Sequence, residues 1–407
     1  MSHPGPKRPF YDSITAQTLI ALSFNIISLF AGGLIFAFTP EFQAAPWILA
    51  LFPPILTIRG GIGGIFSGNL ATMLHLGLIR PRVRGNTPIY AQLISAIFFV
   101  SLVDTLAMGA FAFALNLVLG QASLGQLFAF IVVPPVACIM AMALSIPLTS
   151  LIAIVTFRRG LDPDILVYPI LASVNDIMVT AAFVVTVFLV LSGGALHYLL
   201  VFMFILIIGV TGLLFWRNRK ARFFYQTIRE GTTVVIMSSL FGSLNGFFLS
   251  SMSGSLLKYP GLVVLYPALT NALGNIGSII GSTKTTSLAL GYVESFMDEA
   301  KSAVSQVAKV ESMAFLMHAV FGVVTYLIAR PMAPGASLPM LVGVALISNL
   351  STFVFIALIG LGAAHLAFRR GLNPDNVVIP VITSLSDSLA TLSLLPSVSI
   401  LKIIGVI

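Results

Sequence analysis

Eleven long apolar runs follow one another along this 407-residue chain, and they constrain its fold more than any other feature. Each run reaches or exceeds the roughly twenty residues that a helix needs to cross about 30 Å of hydrocarbon, and none shows the alternation typical of a membrane barrel. Because 58% of the residues are hydrophobic and 8% are charged, a water-soluble globule is excluded. The sequence therefore predicts an all-α polytopic membrane protein. Its spans are expected near residues 15–38, 45–79, 88–120, 124–157, 163–192, 195–216, 228–250, 259–291, 306–329, 338–368 and 374–401.

The chain also carries an internal duplication. The segment FRRGLDPDILVYPILASVNDIMVT, residues 157–180, recurs as FRRGLNPDNVVIPVITSLSDSLAT, residues 368–391, with twelve of twenty-four positions identical at a constant offset of 211. A second pair, residues 59–77 and 273–291, is related at an offset of 214. These pairs predict two five-helix repeats. We assign residues 1–14 to a cytosolic tail, 15–193 to the first repeat, 194–222 to a linker helix with a basic loop, and 223–407 to the second repeat.

Five spans and one linker span return the chain to its starting side before the second repeat begins. The repeats are therefore expected to be parallel, related by a pseudo-twofold axis along the membrane normal, unlike inverted-repeat transporters. Most Lys and Arg residues, sixteen of 21, lie in the tail and alternate loops, which predicts a cytoplasmic N-terminus and an outside C-terminus. They are Lys7, Arg8, Arg80, Arg82, Arg84, Arg158, Arg159, Arg217, Arg219, Lys220, Arg222, Arg229, Lys301, Lys309, Arg369 and Arg370. The net charge of +8 is then a topology signal, and no nucleic-acid partner is expected.

Each repeat places one carboxylate, Asp176 or Asp387, inside an apolar run. An ionisable residue at membrane depth is costly, so it is a functional-site candidate by default. In both copies a hydroxyl residue lies three positions before the acid and another four positions after it, so the three share one helix face. The candidate metal-binding residues are Ser173, Asn175, Asp176, Thr180, Ser384, Asp387, Thr391 and, from the second related segment, Asn275.

Other intramembrane polar residues leave alternatives open. Arg59 and Lys284 lie in the glycine-rich segments and can neutralise the two acids in place of a bound ion. Asp104 and His318 correspond at the offset of 214 and are candidates for a proton or sodium relay, while ordinary hydrogen bonding to a neighbouring helix explains them as well. The single cysteine, Cys138, excludes an intrachain disulfide framework.

The chain resembles the magnesium transporter E (MgtE) family and its eukaryotic solute-carrier relatives, in their duplicated form. Pro267, Gly274, Asn275 and Gly277 match the family's first motif, and Asp387 and Asp176 match the ion-binding acid of its second. In the first copy, glycines at residues 60, 61 and 63 replace the Gly-Asn pattern. The resemblance implies a five-span transport module in each half. Because about fourteen residues precede the first span, we expect no counterpart of the cytosolic N-terminal and CBS domains of bacterial members.

The predicted function is transport of a divalent cation, with Mg²⁺ favoured, along a path between the repeats. Mg²⁺ retains much of its water and is held by one or two carboxylates, so two acids ringed by hydroxyl and amide groups suit a hydrated ion. The expected partners are this cation, a coupling ion such as Na⁺ or H⁺, and the lipid bilayer of the plasma membrane. No resident cofactor is expected, and the duplicated chain is expected to function as a monomeric pseudo-dimer. The alternatives are a carrier of a small organic anion, an intramembrane aspartyl hydrolase, and a structural scaffold.

Overall fold

The computed structural model describes residues 14–38, 45, 47–82, 85–160, 163–252, 258–259, 261–289, 296–331, 333 and 335–406. Within these residues the regular structure is helical, and eleven helical stretches are long and apolar enough to span a membrane. The all-α polytopic prediction is therefore confirmed. The α-helices are α1 (Ile14–Ser23), α2 (Asn25–Ala37), α3 (Trp47–His75), α4 (Pro88–Val118), α5 (Leu127–Arg158), α6 (Pro163–Ser192), α7 (Gly194–Asn218), α8 (Arg222–Ser251), α9 (Gly261–Ala289), α10 (Phe296–Ala329), α11 (Leu338–Arg369) and α12 (Pro374–Ile403).

Several boundaries differ from the sequence prediction; helix α8, for example, begins at Arg222, six residues before the predicted start at 228. The first span, Ile14–Ala37, consists of α1 and α2, which are separated by a break at Phe24. Helix α10 begins at Phe296, ten residues before the predicted start at 306, because a helix can continue through the polar residues beyond its apolar part. The cytosolic tail assigned to residues 1–14 lies almost wholly outside the described residues.

The helices of the two halves make matching contacts. In the first half α3 packs against α4, α5 and α6, and in the second half α9 packs against α10, α11 and α12 in the same order. The first span of each half packs on the last helix of its own half and also on the other half: α2 contacts α6 and α9, and α8 contacts α12, α3 and α4. This exchange ties the halves together and supports two equivalent five-helix units. The direction of the axis that relates them stays a prediction.

At two equivalent places, a glycine of a first span packs closely on a helix of the opposite half; we call these contacts the glycine crossings. A Cβ atom on Gly32 of α2 would collide with the backbone carbonyl of Val264 in α9. A Cβ atom on Gly246 of α8 would lie 2.5 Å from the carbonyl oxygen of Ala50 in α3. Gly32 corresponds to Gly246, and Ala50 corresponds to Val264, at the offset of 214 found in the sequence. Close backbone approach through small residues is a general way of packing helices in membranes.

Burial places α3 and α9 at the centre of the molecule. In each of these helices 94% of the most apolar window is buried, whereas in the linker helix α7 the share is 11%. Helices α6 and α12 each pack against both central helices. Polar residues on these four helices therefore face one another in the protein interior, and the exposed apolar surface of α7 suits contact with lipid.

Candidate functional site

The centre of the molecule is polar where α3, α6, α9 and α12 meet. Gly60 of α3 and Gly274 of α9 both lie beside Thr383 of α12. The Tyr168 hydroxyl of α6 reaches the same place and lies beside Thr383. Tyr168 also lies close enough to both Asp176 and Asp387 for their charges to act on it. The two acids of the duplicated motif are thus brought to one region, although their surroundings differ.

Asp176 is buried, and its carboxylate contacts one cationic group and two neutral ones. Its carboxylate forms an ion pair with Arg59 of α3, and its other oxygen accepts a hydrogen bond of 2.6 Å from the amide nitrogen of Asn271 in α9. The Ser28 hydroxyl of α2 lies against the same carboxylate. Arg59 is itself held by two further oxygens, the carbonyl of Ala172 at 2.9 Å and the side-chain oxygen of Asn271 at 3.3 Å. The arrangement neutralises Asp176 inside the protein.

Asp387 has hydroxyl neighbours instead of a cation. The Thr57 hydroxyl of α3 lies against its carboxylate, and position 57 corresponds to Asn271 at the offset of 214. One turn further along α12, Thr391 lies 3.0 Å from the Tyr266 hydroxyl of α9. Within the described residues no Lys, Arg or His side chain forms an ion pair with Asp387. Asp387 is also partly exposed, while Asp176 is 1% exposed.

The surroundings of the two acids also differ one helical turn further along α6 and α12. Thr180, the counterpart of Thr391, is fully buried, and its hydroxyl has no hydrogen-bond partner among the residues that the structure describes. Position 52, which corresponds to Tyr266, carries a phenylalanine whose ring packs on Phe183 at a centroid distance of 5.9 Å. The first copy therefore lacks the hydroxyl pair that lines the second.

The remaining predicted ligands occupy three different surroundings. Ser173 of α6 and Asn275 of α9 both donate to the side-chain oxygen of Asn25 in α2, at 2.8 Å each. Ser384 donates to the backbone carbonyl of Pro380 in its own helix. Asn175 lines a small cleft between α3, α4, α5 and α6, next to Arg59. Within the described part of the chain, its side-chain oxygen has no hydrogen-bond partner.

The proposed relay residues lie apart from this centre and do not form one chain of hydrogen bonds. Asp104 in α4 is fully buried and accepts a hydrogen bond from Ser239 of α8. His318 in α10 is also fully buried, and one ring nitrogen lies 2.8 Å from the carbonyl oxygen of Ala314. The second oxygen of Asp104 and the second nitrogen of His318 have no partner among the described residues. Their role in coupling stays a prediction.

The central residues that no sequence motif marked as ligands include Ser28, Thr57, Tyr266 and Asn271. Thr57 ends the tetrapeptide PILT, residues 54–57, and Asn271 directly follows the similar tetrapeptide PALT, residues 267–270. Their importance depends on the packing of α3 and α9 against the opposite halves, which spacing within one helix does not reveal. Ser28 lies on the exchanged first span, where no motif marked it.

The described residues contain no group of three or more His, Cys, Asp and Glu side chains that would form a metal cage. Single carboxylates beside hydroxyl and amide groups are instead suited to outer-sphere contacts with a hydrated cation, since Mg²⁺ usually keeps several of its waters.

Comparison with known proteins places this architecture in a family. A family model described as "MgtE: Divalent cation transporter" matches residues 52–186 and 266–396. Solute carrier family 41 member 3 of Rattus norvegicus is 22% identical over 400 residues, covering 93% of this chain and 85% of the rat protein. The Mus musculus protein of the same name is 21% identical over 370 residues, covering 86% and 75%. No solved structure matches the chain. The protein is therefore an integral membrane protein of the MgtE family of divalent cation transporters.

Proposed function

We propose that this protein transports Mg²⁺ and that Asp387 holds the hydrated ion at the centre of the path. The observation that carries this proposal is the contrast between the two acids. Asp387 is partly exposed and has hydroxyl neighbours, whereas the pseudo-equivalent Asp176 is buried against Arg59. An ionised carboxylate at membrane depth needs a counter-charge. A mobile cation supplies that charge at Asp387.

The groups around Asp387 suit a hydrated divalent ion better than a dehydrated one. The hydroxyls of Thr57, Tyr266 and Thr391 can accept hydrogen bonds from coordinated water. Conduction also requires that the ion leave again, so a single carboxylate with water-mediated contacts is preferable to a tight cage. Arg59 lies close enough to Asp387 for its positive charge to weaken ion binding, which favours release.

The direct test is Mg²⁺ flux in proteoliposomes with Asp387→Asn, which keeps the shape of the side chain and removes its charge. We expect flux to fall at least tenfold, because the ion loses its counter-charge. Glu311→Gln is the matched control, since Glu311 is also a partly buried acid in a span and accepts a 2.6 Å hydrogen bond from Asn349. Its flux should stay near that of the wild type. Wild-type flux in a folded Asp387→Asn protein would refute the proposal.

The competing carrier of an organic anion would need an available cation at the centre. Arg59 does not supply one, because its guanidinium is engaged by Asp176, Asn271 and Ala172. Flux assays with Mg²⁺, Mn²⁺, Co²⁺ and Ca²⁺, each in competition with small carboxylates, separate the two functions. The same liposomes, with an imposed Na⁺ or pH gradient, test for a coupling ion. We further propose a plasma-membrane location with the N-terminus in the cytoplasm, in line with the distribution of Lys and Arg.

A further inference from the structure

Three oxygen atoms converge on the guanidinium of Arg59. They are a carboxylate oxygen of Asp176, the backbone carbonyl of Ala172 and the side-chain oxygen of Asn271. They come from two helices, α6 and α9, and the Ser28 hydroxyl of α2 adds a fourth oxygen beside the carboxylate. Carboxylate, carbonyl and amide oxygens are the ligands that hard divalent cations take in proteins. The guanidinium thus occupies a pocket with the chemistry of a cation site.

The second copy has no such resident charge. The position that corresponds to Arg59 at the offset of 214 is Leu273, which is fully buried and apolar. The acid of that copy, Asp387, is consequently left without an ion pair among the described residues. The duplication therefore contains two acid sites, one with a covalently tethered cation and one without.

We infer that Arg59 takes the place of a metal ion at Asp176, so that the chain has one divalent-cation site where two repeats would otherwise give two. This inference rests on the proposed binding of the cation at Asp387. The arginine makes the first acid site permanently filled, and it holds α3, α6 and α9 together as a bound metal would. Removing its charge should convert the first site into a second divalent-cation site made of Asp176, Asn271 and Ala172.

The test compares Mg²⁺ binding to purified variants by isothermal titration calorimetry. We expect one Mg²⁺ for the wild type, none for Asp387→Asn, and one again for Arg59→Leu combined with Asp387→Asn. Adding Asp176→Asn to that double variant should abolish the regained site. Arg59→Lys keeps the positive charge and is the matched control, so with Asp387→Asn it should bind no Mg²⁺.

A second readout is thermal unfolding with and without Mg²⁺. An Arg59→Leu protein leaves Asp176 buried without a counter-charge, so Mg²⁺ should raise its unfolding temperature more than that of the wild type. Arg59→Gln should behave in the same way, which guards against a folding defect specific to leucine. The inference is overturned if neither Arg59→Leu nor Arg59→Gln gains Asp176-dependent Mg²⁺ binding. It is also overturned if neither variant is recovered folded, even with Mg²⁺ present. If the wild type binds no Mg²⁺ but the double variant does, the proposed role of Asp387 fails while the cation-site chemistry at Asp176 stands.

Discussion

At the scale of single residues, the difference between the two acid sites depends on a few substitutions at equivalent positions. At the offset of 214, Arg59 corresponds to Leu273, Thr57 to Asn271, and Phe52 to Tyr266. The first two differences place a positive charge and an amide donor at Asp176, and the second and third leave hydroxyl groups near Asp387. The acid-bearing motif was readable from sequence because it repeats with fixed spacing. The asymmetry was not, because it arises from contacts between helices that are over 90 residues apart in the chain.

Removing the Tyr266 hydroxyl tests the role of the hydroxyl groups near Asp387. Tyr266→Phe removes the partner of Thr391 and one acceptor for coordinated water. Since a hydrogen bond contributes about 0.5–1.5 kcal/mol, we expect the Mg²⁺ concentration at half-maximal flux to rise about twofold to tenfold. Titration of flux against Mg²⁺ in proteoliposomes measures this shift.

Tyr90→Phe is the matched control for that substitution. Tyr90 is also buried and its hydroxyl donates to a neighbouring hydroxyl, that of Ser150, at 2.6 Å. This pair joins α4 to α5, outside the central contact of α3, α6, α9 and α12. The control should lose a similar amount of stability without a change in Mg²⁺ dependence. Equal shifts for the two variants would contradict a role of the Tyr266 hydroxyl in ion binding.

At the scale of helices, hydropathy predicted the spans well because each helix must satisfy its own backbone groups in lipid. Hydropathy did not predict the break at Phe24 or the early start of α10. It reports neither the local backbone geometry nor the length of a helix beyond its apolar part. The exchange of first spans was also beyond the sequence. Glycines in α2 and α8 were visible, but their contacts on the opposite halves depend on the assembled bundle.

The glycine crossings predict matched packing defects. Gly32→Ala and Gly246→Ala each force a Cβ atom into a backbone carbonyl of the opposite half, so each should destabilise the protein by about 1–3 kcal/mol. The measurement is thermal unfolding in detergent, where both variants should unfold a few degrees below the wild type. Gly33→Ala is the control on the same helix, because its Cβ atom would meet Ile328 at an ordinary 3.5 Å. If Gly33→Ala were as destabilising as Gly32→Ala, the crossing would not be the cause.

At the scale of the whole molecule, the linker helix α7 determines how the halves are oriented. With α7 as a span, six spans lie between the end of α5 and the end of α11, so both ends face the same side. If α7 lay along the surface instead, the second half would be inverted and could not exchange its first span in the same way. The low burial of α7 agrees with a lipid-facing span. The basic residues at the ends of α5 and α11 favour the cytoplasmic side for both ends.

Cysteine labelling tests this orientation directly. Cys138 is the single cysteine, so Cys138→Ala provides a cysteine-free background in which exposed sites are introduced one at a time. Arg159→Cys and Arg370→Cys, at the equivalent ends of α5 and α11, should both react with a membrane-impermeant maleimide from the cytoplasmic side. Ser123→Cys and Gly335→Cys, which precede α5 and α11, should react from the outside. Because parallel repeats require each equivalent pair to label from one side, labelling of Arg159→Cys and Arg370→Cys from opposite sides would show that the halves are inverted and that α7 does not cross the membrane.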